Sequence, residues 1–253
     1  MAFIDGDAAQ VLRLEQGRVA CLCVLARLGA GLALGATVAL AWMCGTAGAG
    51  TIFWGSPFPA GPPLLLDSNG QPLDGNYSFE IGSFGSFVPT YQNIELWVAN
   101  WKVFDRAYDP TPADAFDGDP EGWNTEFGFF AGTVNHNASS GSDSPDANPL
   151  DVFAEGEKVY LWAYNSKTIV PSSEWALVTD SYPVGNLNSN WLFPDPNGLT
   201  PDSDYQLADA DEAIIGGVNN VQGAGGFSAV PPSFSLQTAV VPEPGSAFLL
   251  FAA

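Results

Sequence analysis

The chain has 253 residues and a mass of 26.6 kDa, which is enough for one full domain and too large for a disulfide-stapled miniprotein. It carries 28 Asp and Glu against 7 Lys and Arg, and the net charge of −21 repels phosphate backbones, so nucleic acid is not an expected partner. Hydrophobic residues make up 46% of the chain and charged residues 14%, which favours a folded core over a disordered acidic tail.

The first 49 residues have the pattern of a helical signal peptide. An uncharged stretch of Leu, Ala, Gly and Val runs from Leu28 to Met43, and the small residues Ala47 and Ala49 follow at the positions that signal peptidase reads. We therefore expect cleavage after Ala49, so that residues 1–49 are removed. The alternative is an uncleaved membrane anchor, which requires the bilayer to tolerate Arg27.

All three cysteines, Cys21, Cys23 and Cys44, lie in the segment that we expect to be removed. The secreted chain then has no disulfide, thiolate metal site or cysteine nucleophile. Its stability outside the cytoplasm must therefore come from packing or from bound ions.

Residues 50–239 are predicted to form one secreted, β-rich domain. Short runs of aromatic and β-branched residues alternate with Gly, Pro, Asn and Asp, which predicts five or more strands. These runs cover residues 77–84, 127–134, 158–164, 174–179 and 234–241. No repeat of 20 to 50 residues is visible, so we expect a mostly β, antiparallel, sandwich-like single domain.

One prominent amphipathic helix is predicted at about residues 91–105. Apolar residues recur there at the spacing of one helix face, after residues that are able to cap a helix. The face consists of Ile94, Trp97, Trp101 and Phe104, and the candidate caps are Thr90 and Asn93. We expect this face to pack on the sheet.

Three tryptophans are candidate ligand-binding residues. Trp54, Trp123 and Trp191 lie among polar, loop-like residues, where an exposed indole ring could stack on a sugar. The alternative is burial in the core. We expect burial for the tryptophans in amphipathic patterns, which are Trp97, Trp101, Trp162 and Trp175.

An acidic segment contains weak candidates for calcium binding. Asp117, Asp119 and Glu121 match the first part of a calcium loop, but Gly128 stands where the loop needs a carboxylate. A second acidic group consists of Asp202, Asp204, Asp209, Asp211 and Glu212. A solvated acidic surface explains both groups as well, so we expect no cofactor and keep calcium as the alternative.

Enzyme signatures are absent from the sequence. His136 is the single histidine and lies in a polar stretch, without a nucleophile elbow or a zinc-binding histidine pair. Paired carboxylates for glycoside hydrolysis depend on spacing in three dimensions, so a secreted hydrolase stays an alternative. The sequence therefore predicts a non-enzymatic protein.

The C-terminal end carries a short motif before an apolar stretch. The chain reads Val241-Pro242-Glu243-Pro244-Gly245-Ser246, and residues 247–253 are all apolar. Behind a signal peptide, this arrangement resembles the PEP-CTERM sorting signal of Gram-negative, exopolysaccharide-producing bacteria. The resemblance implies that exosortase, a membrane-embedded enzyme, recognises Pro242, Glu243 and Pro244, processes the tail and passes the protein to the cell surface.

The match to that signal is incomplete. The family pattern continues with a membrane-spanning helix and an Arg-rich end, whereas seven apolar residues follow Ser246 here. We expect residues 240–253 to hold the motif and the start of a truncated hydrophobic tail. The alternative is a defective signal on a protein that is simply secreted.

These features predict a secreted or cell-surface protein, transiently anchored in the membrane. Its processing partners are signal peptidase and exosortase, and its setting is the exopolysaccharide matrix of a biofilm. A carbohydrate-binding module and a secreted hydrolase are the alternatives.

Overall fold

The computed structural model describes residues 50–56, 65–108, 122–125, 128–181, 191–197, 203–227 and 234–243. All of these residues belong to one compact unit. The expected signal helix, with Ala47 and Ala49, lies outside the described residues. None of the helices within the described ranges is long and apolar enough to cross a membrane.

The described part is mostly β-structure. In chain order its strands are β1 (Gly50–Gly55), β2 (Leu65–Leu66), β3 (Ser78–Ser83), β4 (Lys102–Tyr108), β5 (Gly122–Asn124), β6 (Phe129–His136), β7 (Tyr160–Tyr164), β8 (Glu174–Thr179), β9 (Ser203–Gln206), β10 (Glu212–Ile215), β11 (Gly217–Val218), β12 (Val221–Gln222), β13 (Leu236–Gln237) and β14 (Ala239–Val240). The helical elements are a 3-10 helix (Tyr91–Leu96) that continues into one α-helical turn (Trp97–Asn100), together called α1, and a short 3-10 helix (Leu207–Asp209).

Six strands form an antiparallel sheet in the order β10-β8-β7-β3-β4, with β14 as the sixth strand. Strands β10 and β14 pair with different parts of β8. Strand β10 pairs with Leu177, Val178 and Thr179, and β14 pairs with Glu174 and Trp175. The last strand of the described chain is therefore held at the beginning of β8.

Two four-stranded sheets complete the β-structure. One has the order β5-β6-β1-β9, in which β1 pairs antiparallel with β6 and parallel with β9. The other has the order β12-β11-β13-β2, and its β13–β2 pair is parallel. The antiparallel, sandwich-like prediction is confirmed, with two parallel pairs added to it.

The six-stranded sheet is covered on both faces, as the side chains of β7 illustrate. All five of its residues are buried, because successive side chains enter opposite cores. Leu161 and Ala163 join the inter-sheet core, which also contains Ile52 of β1 and Phe130 of β6. Residues on the other face belong to the tryptophan core, whose members include Trp97, Trp101, Tyr160, Trp162, Tyr164 and Trp175.

Helix α1 packs on the sheet as expected, but it is shorter than the sequence predicts. It ends at Asn100, because Trp101 takes an extended conformation, with φ −78° and ψ 127°. The following residues pair with β3 as strand β4, so the predicted end of the helix at residue 105 is wrong. Backbone pairing with a neighbouring strand outweighs the local helical spacing here.

The start of α1 depends on Asn93. Its Oδ1 accepts the Thr90 backbone N–H at 2.8 Å and the Trp97 Nε1–H at 2.9 Å. Its Nδ2 donates to the Val88 carbonyl at 3.0 Å. Asn93, one of the two predicted caps, therefore fixes both the helix start and one core tryptophan.

A β-bulge in β4 changes which core two side chains enter. The pairing with β3 passes from Asp105 directly to Val103, so Phe104 is the extra residue. Phe104 and Asp105 consequently both face the side of the inter-sheet core, where Phe104 is fully buried and Asp105 meets Trp54. The prediction that Phe104 shares a helix face with Trp97 is therefore wrong.

The predicted strands correspond to observed ones. The stretch 174–179 matches β8 residue for residue, and the stretches 77–84, 127–134 and 158–164 contain most of β3, β6 and β7. The stretch 234–241 contains two short strands, β13 and β14, in different sheets.

Candidate functional site

The chain leaves the described fold at the predicted sorting motif. Val241 follows β14, is buried, and donates its backbone N–H to the Ser173 carbonyl at 2.8 Å. Pro242 is half-buried and Glu243 is exposed, whereas Pro244 lies outside the described residues. The motif therefore begins directly after a residue that the fold holds.

A buried carboxylate connects the segments that surround β14. Glu174, at the start of β8, accepts hydrogen bonds from the Ser68 backbone N–H at 2.9 Å and the Ser68 hydroxyl at 2.6 Å. The Tyr77 hydroxyl donates at 2.9 Å, and the Thr238 hydroxyl donates at 2.7 Å. The carboxylate thus connects β8 to the loop after β2, to the residue before β3 and to the residue between β13 and β14. We call this set the C-terminal clamp.

The donors of the C-terminal clamp are neutral, and they set the ionisation of Glu174. Burial alone would raise the pKa of this carboxyl, but the hydrogen bonds from Ser68, Thr238 and Tyr77 outweigh burial and lower it. Burial and the negative charge of Glu174 raise the pKa of Tyr77, so its hydroxyl remains a donor. Glu174 is therefore held as an anion without a cation as its partner.

A second buried carboxylate lies on the other side of β7. Glu80, on β3, is 0% exposed. It accepts hydrogen bonds from Trp101 Nε1 at 2.7 Å and from the Tyr164 hydroxyl at 2.7 Å. Two cations flank it, because Arg106 Nη2 lies 2.6 Å and Lys167 Nζ lies 2.5 Å from its oxygens. We call these five residues the Glu80 centre.

Burial and the charge of Glu80 set the pKa values of the other titratable groups in the Glu80 centre. Burial lowers the pKa of Lys167, although the Glu80 charge opposes that shift. Burial also lowers the pKa of Arg106, but the attraction of the Glu80 charge and smaller contributions from neighbouring groups together outweigh burial, so the net effect is a raised pKa. Burial and Glu80 together raise the pKa of Tyr164, which keeps its proton. Because all these groups satisfy one another, the centre connects β3, β4 and β7 and offers no free nucleophile.

The three candidate sugar-stacking tryptophans are buried. Trp54 is 1% exposed, Trp123 is 4% exposed and Trp191 is 1% exposed. Trp54 Nε1 donates to Asp105 Oδ2 at 2.8 Å, and Trp123 Nε1 donates to the Asp74 carbonyl at 3.0 Å. The prediction that they form an exposed platform is wrong, because each belongs to the inter-sheet core. The tryptophans that were expected in the core are buried there.

The first calcium candidates, Asp117, Asp119 and Glu121, lie outside the described residues. In the second acidic group, Asp211 Oδ1 accepts the Ser181 backbone N–H at 2.7 Å and Glu212 pairs with Lys158 at 3.0 Å. Across the described ranges, no three His, Cys, Asp or Glu side chains converge in a way that could hold a metal ion.

His136 is buried at the end of β6, not in a polar loop as its sequence neighbours suggest. Its side chain is 0% exposed, and Nε2 lies 3.1 Å from the Phe153 carbonyl oxygen. The rings of Phe104 and Phe193 lie at centroid distances of 5.7 Å and 5.6 Å. Burial lowers the pKa of this imidazole and favours its neutral form.

A polar cavity of about 290 Å³ opens between β4 and β6. We call it the β4–β6 groove. The described residues that line it are Asp105, Arg106, Gly122, Ala131, Gly132, Thr133, Val134, Asn135, Asp143, Ser144, Pro145 and Asp146. A Cβ atom at Gly132 would collide with the Trp54 indole and the Asp105 carboxylate, so glycine allows this hydrogen-bonded pair to approach β6.

The two buried carboxylates were not predicted as special residues. A local signal exists for Glu80, since a charged residue stands between two apolar ones in a predicted strand, Phe79 and Ile81. A similar signal marks Glu174, which opens an otherwise apolar run. The partners of Glu174 are 64 to 106 residues away, and those of Glu80 extend as far as Lys167, so sequence spacing does not reveal them.

We compared the chain with models of protein families, with curated proteins and with solved structures, and no match was found in any of the three comparisons.

Proposed function

We propose that this chain is a non-enzymatic secreted or cell-surface protein that exosortase sorts through Pro242, Glu243 and Pro244, and that it associates with an exopolysaccharide matrix. The observation that carries the proposal is that the motif directly follows a residue that the fold holds. Val241 is buried and hydrogen-bonded to Ser173, and Glu243, the charged residue of the motif, is exposed. A sorting enzyme needs this arrangement, because it must reach an extended signal without opening the core.

The surface chemistry supports an extracellular role. The described part contains four basic side chains, and all four form ion pairs inside the domain: Lys102 with Glu157, Arg106 with Glu80 and Asp146, Lys158 with Glu212, and Lys167 with Glu80. The remaining surface charge is acidic, which favours solubility and discourages binding to anionic lipid.

The experiment is expression of the complete gene product, as far as the stop codon, in a Gram-negative host that has exosortase and in its exosortase deletion strain. We expect the mature protein to lose its tail and to reach the surface or medium only in the first strain. Intact mass and cell fractionation measure both properties.

Two single variants test whether the motif is responsible. Glu243→Gln removes the charge of the motif, and Glu155→Gln makes the same change at another exposed position. We expect the first variant to keep its tail and the second to be processed normally. Equal mass and location of all proteins in both strains would reject the sorting function.

A further inference from the structure

We propose that the β4–β6 groove binds one residue of a neutral sugar through its hydroxyl groups. This inference names a ligand chemistry for the matrix association proposed above, and it rests on that proposal for its biological setting. The binding site itself is argued from the groove.

The size of the groove fits a small polar ligand. Its volume of about 290 Å³ lies at the lower end of the range for small-molecule sites, which is roughly 300–1,000 Å³. Residues from β4, β5, β6 and the loop at residues 143–146 line it, and none of the twelve lining residues that the structure describes is aromatic. Such a site suits recognition by hydrogen bonds rather than by ring stacking.

One wall of the groove is a strand edge. Five consecutive residues of β6, 131–135, line the groove, although successive side chains of a strand point in opposite directions. Backbone atoms must therefore contribute to the wall. Among the described residues the pairing with β5 ends at Ala131, and farther along this edge the Asn135 carbonyl accepts the Asp143 backbone N–H at 3.1 Å. Backbone N–H and C=O groups add donors and acceptors to those of the side chains.

The side chains offer both donors and acceptors, as a sugar hydroxyl requires. Arg106 is a donor whose position is fixed, because its Nε donates to Glu80 at 2.7 Å while Nη1 lies 3.5 Å from Asp146. Asp105, which is 9% exposed, is an acceptor whose position is fixed by the Trp54 indole. Thr133 adds an exposed hydroxyl that both donates and accepts, and Asn135 adds its amide donors, since its Oδ1 already accepts the Thr51 hydroxyl at 3.2 Å.

The other ligand classes fit the groove less well. Its carboxylates do not converge: among the described residues no three acidic, His or Cys side chains are arranged to hold a metal. An anionic sugar would meet three carboxylates against one arginine that is already paired with Glu80. An uncharged polyol avoids both difficulties and can use the acceptors and the donors together.

The test uses the purified, full-length protein and calorimetric titration with defined probes. These are the neutral hexasaccharides of glucose and mannose in their common linkages, with oligogalacturonate and CaCl₂ as charged comparisons. We expect at least one neutral hexasaccharide to bind and both charged probes to bind more weakly or not at all. No heat from any neutral probe, or tighter binding of oligogalacturonate or calcium, would overturn the proposal.

Variants locate the site. Asp146→Asn and Thr133→Val change side chains at the rim of the groove, and Asp151→Asn is the matched control at a half-buried position outside the groove lining. We expect Asp146→Asn to weaken binding by about tenfold or more, since a neutral amide accepts a hydrogen bond less strongly than a carboxylate does. Thermal unfolding shows that each variant is folded.

Equal affinity of the groove variants and the control would place the sugar elsewhere and reject the site. Because binding is measured on purified protein and sorting is measured in cells, the two proposals fail separately.

Discussion

At the scale of single residues, the clearest departure from the sequence pattern is His136. It is surrounded by Asn135 and Asn137 in sequence, yet it lies in a contact shell of Phe104, Phe153 and Phe193. The alternation of β6 explains this difference, because the residues at even positions from Phe130 to His136 point inward. The single histidine therefore belongs to the core.

The stability of the protein should depend on pH through His136. Burial lowers the pKa of the folded state below the unfolded value of about 6.5, so the unfolded chain binds the proton first. Stability is then complete above that pH and decreases as the pH falls from about 6.5 towards the folded pKa, by about 1.4 kcal/mol for each unit of separation. Urea unfolding at pH 7.5, 6.5 and 5.5 measures this loss.

The His136→Gln variant is the control, because glutamine stays neutral and can still donate to the Phe153 carbonyl. Its stability should be nearly constant between pH 7.5 and 5.5, since this chain has no other histidine. The same decrease in the variant and the original protein would show that other groups cause the pH dependence.

At the scale of the elements, β14 is short and depends on the C-terminal clamp. Its two residues pair with the start of β8, and the neighbouring Thr238 donates its N–H to the Leu66 carbonyl at 2.9 Å. A two-residue strand contributes little by itself, so the side-chain contacts of Glu174 must supply much of its stability.

The Glu174→Gln variant should loosen β14. The amide can accept fewer of the four hydrogen bonds and carries no charge, which costs about 1.5–3 kcal/mol of unfolding free energy. Hydrogen exchange should become faster at the Thr238 and Val241 amides, and Glu155→Gln serves as the exposed control. Exchange at these two amides that matches the control would show that the clamp does not hold β14.

The Glu174→Gln substitution should also change how the stability of the protein depends on pH. Because the folded pKa of Glu174 is lowered, its contribution is present above the unfolded pKa of about 4.3 and is lost as the pH falls through the folded value. The variant should therefore lose less stability than the original protein between pH 5 and pH 3.

Prediction from sequence succeeded where the information is local and failed where it depends on pairing. The run Glu174–Thr179 is rich in strand-forming residues, and the structure makes it β8. Phe104 has helical spacing from Trp97 and Trp101, but pairing with β3 places it in a strand. Trp54 has polar neighbours on its C-terminal side, and it is buried because β1 pairs with β6 and β9 and its indole meets Asp105, 51 residues away. Local composition does not contain these distant partners.

The sorting motif and the β4–β6 groove differ in the same way, because one is local in sequence and the other is not. The motif Pro242-Glu243-Pro244 is visible in the sequence because it is continuous. The β4–β6 groove is not, because its walls come from four separated segments and its arginine is positioned by Glu80 on a fifth. A groove of this kind requires the register of β3, β4 and β6, which only the folded chain provides.

At the scale of the whole molecule, charge repulsion acts against the fold. The net charge is −21, and the four described cations are already used in internal ion pairs. Added salt weakens both the attraction within these pairs and the repulsion among the acidic side chains. Glu80 is buried, so its ion pairs with Arg106 and Lys167 are screened less than the acidic side chains that are exposed to the ions.

We therefore expect the unfolding temperature to rise by several degrees when NaCl is increased from about 10 mM to about 200 mM at pH 7.5, because the Debye length falls from about 30 Å to below 10 Å. Differential scanning calorimetry measures the shift, and sucrose at equal osmolality controls for solute effects that are not electrostatic. Most of the rise should occur below 100 mM, where screening changes most steeply. A fall in unfolding temperature over the same range would mean that the ion pairs contribute more to stability than the acidic surface costs.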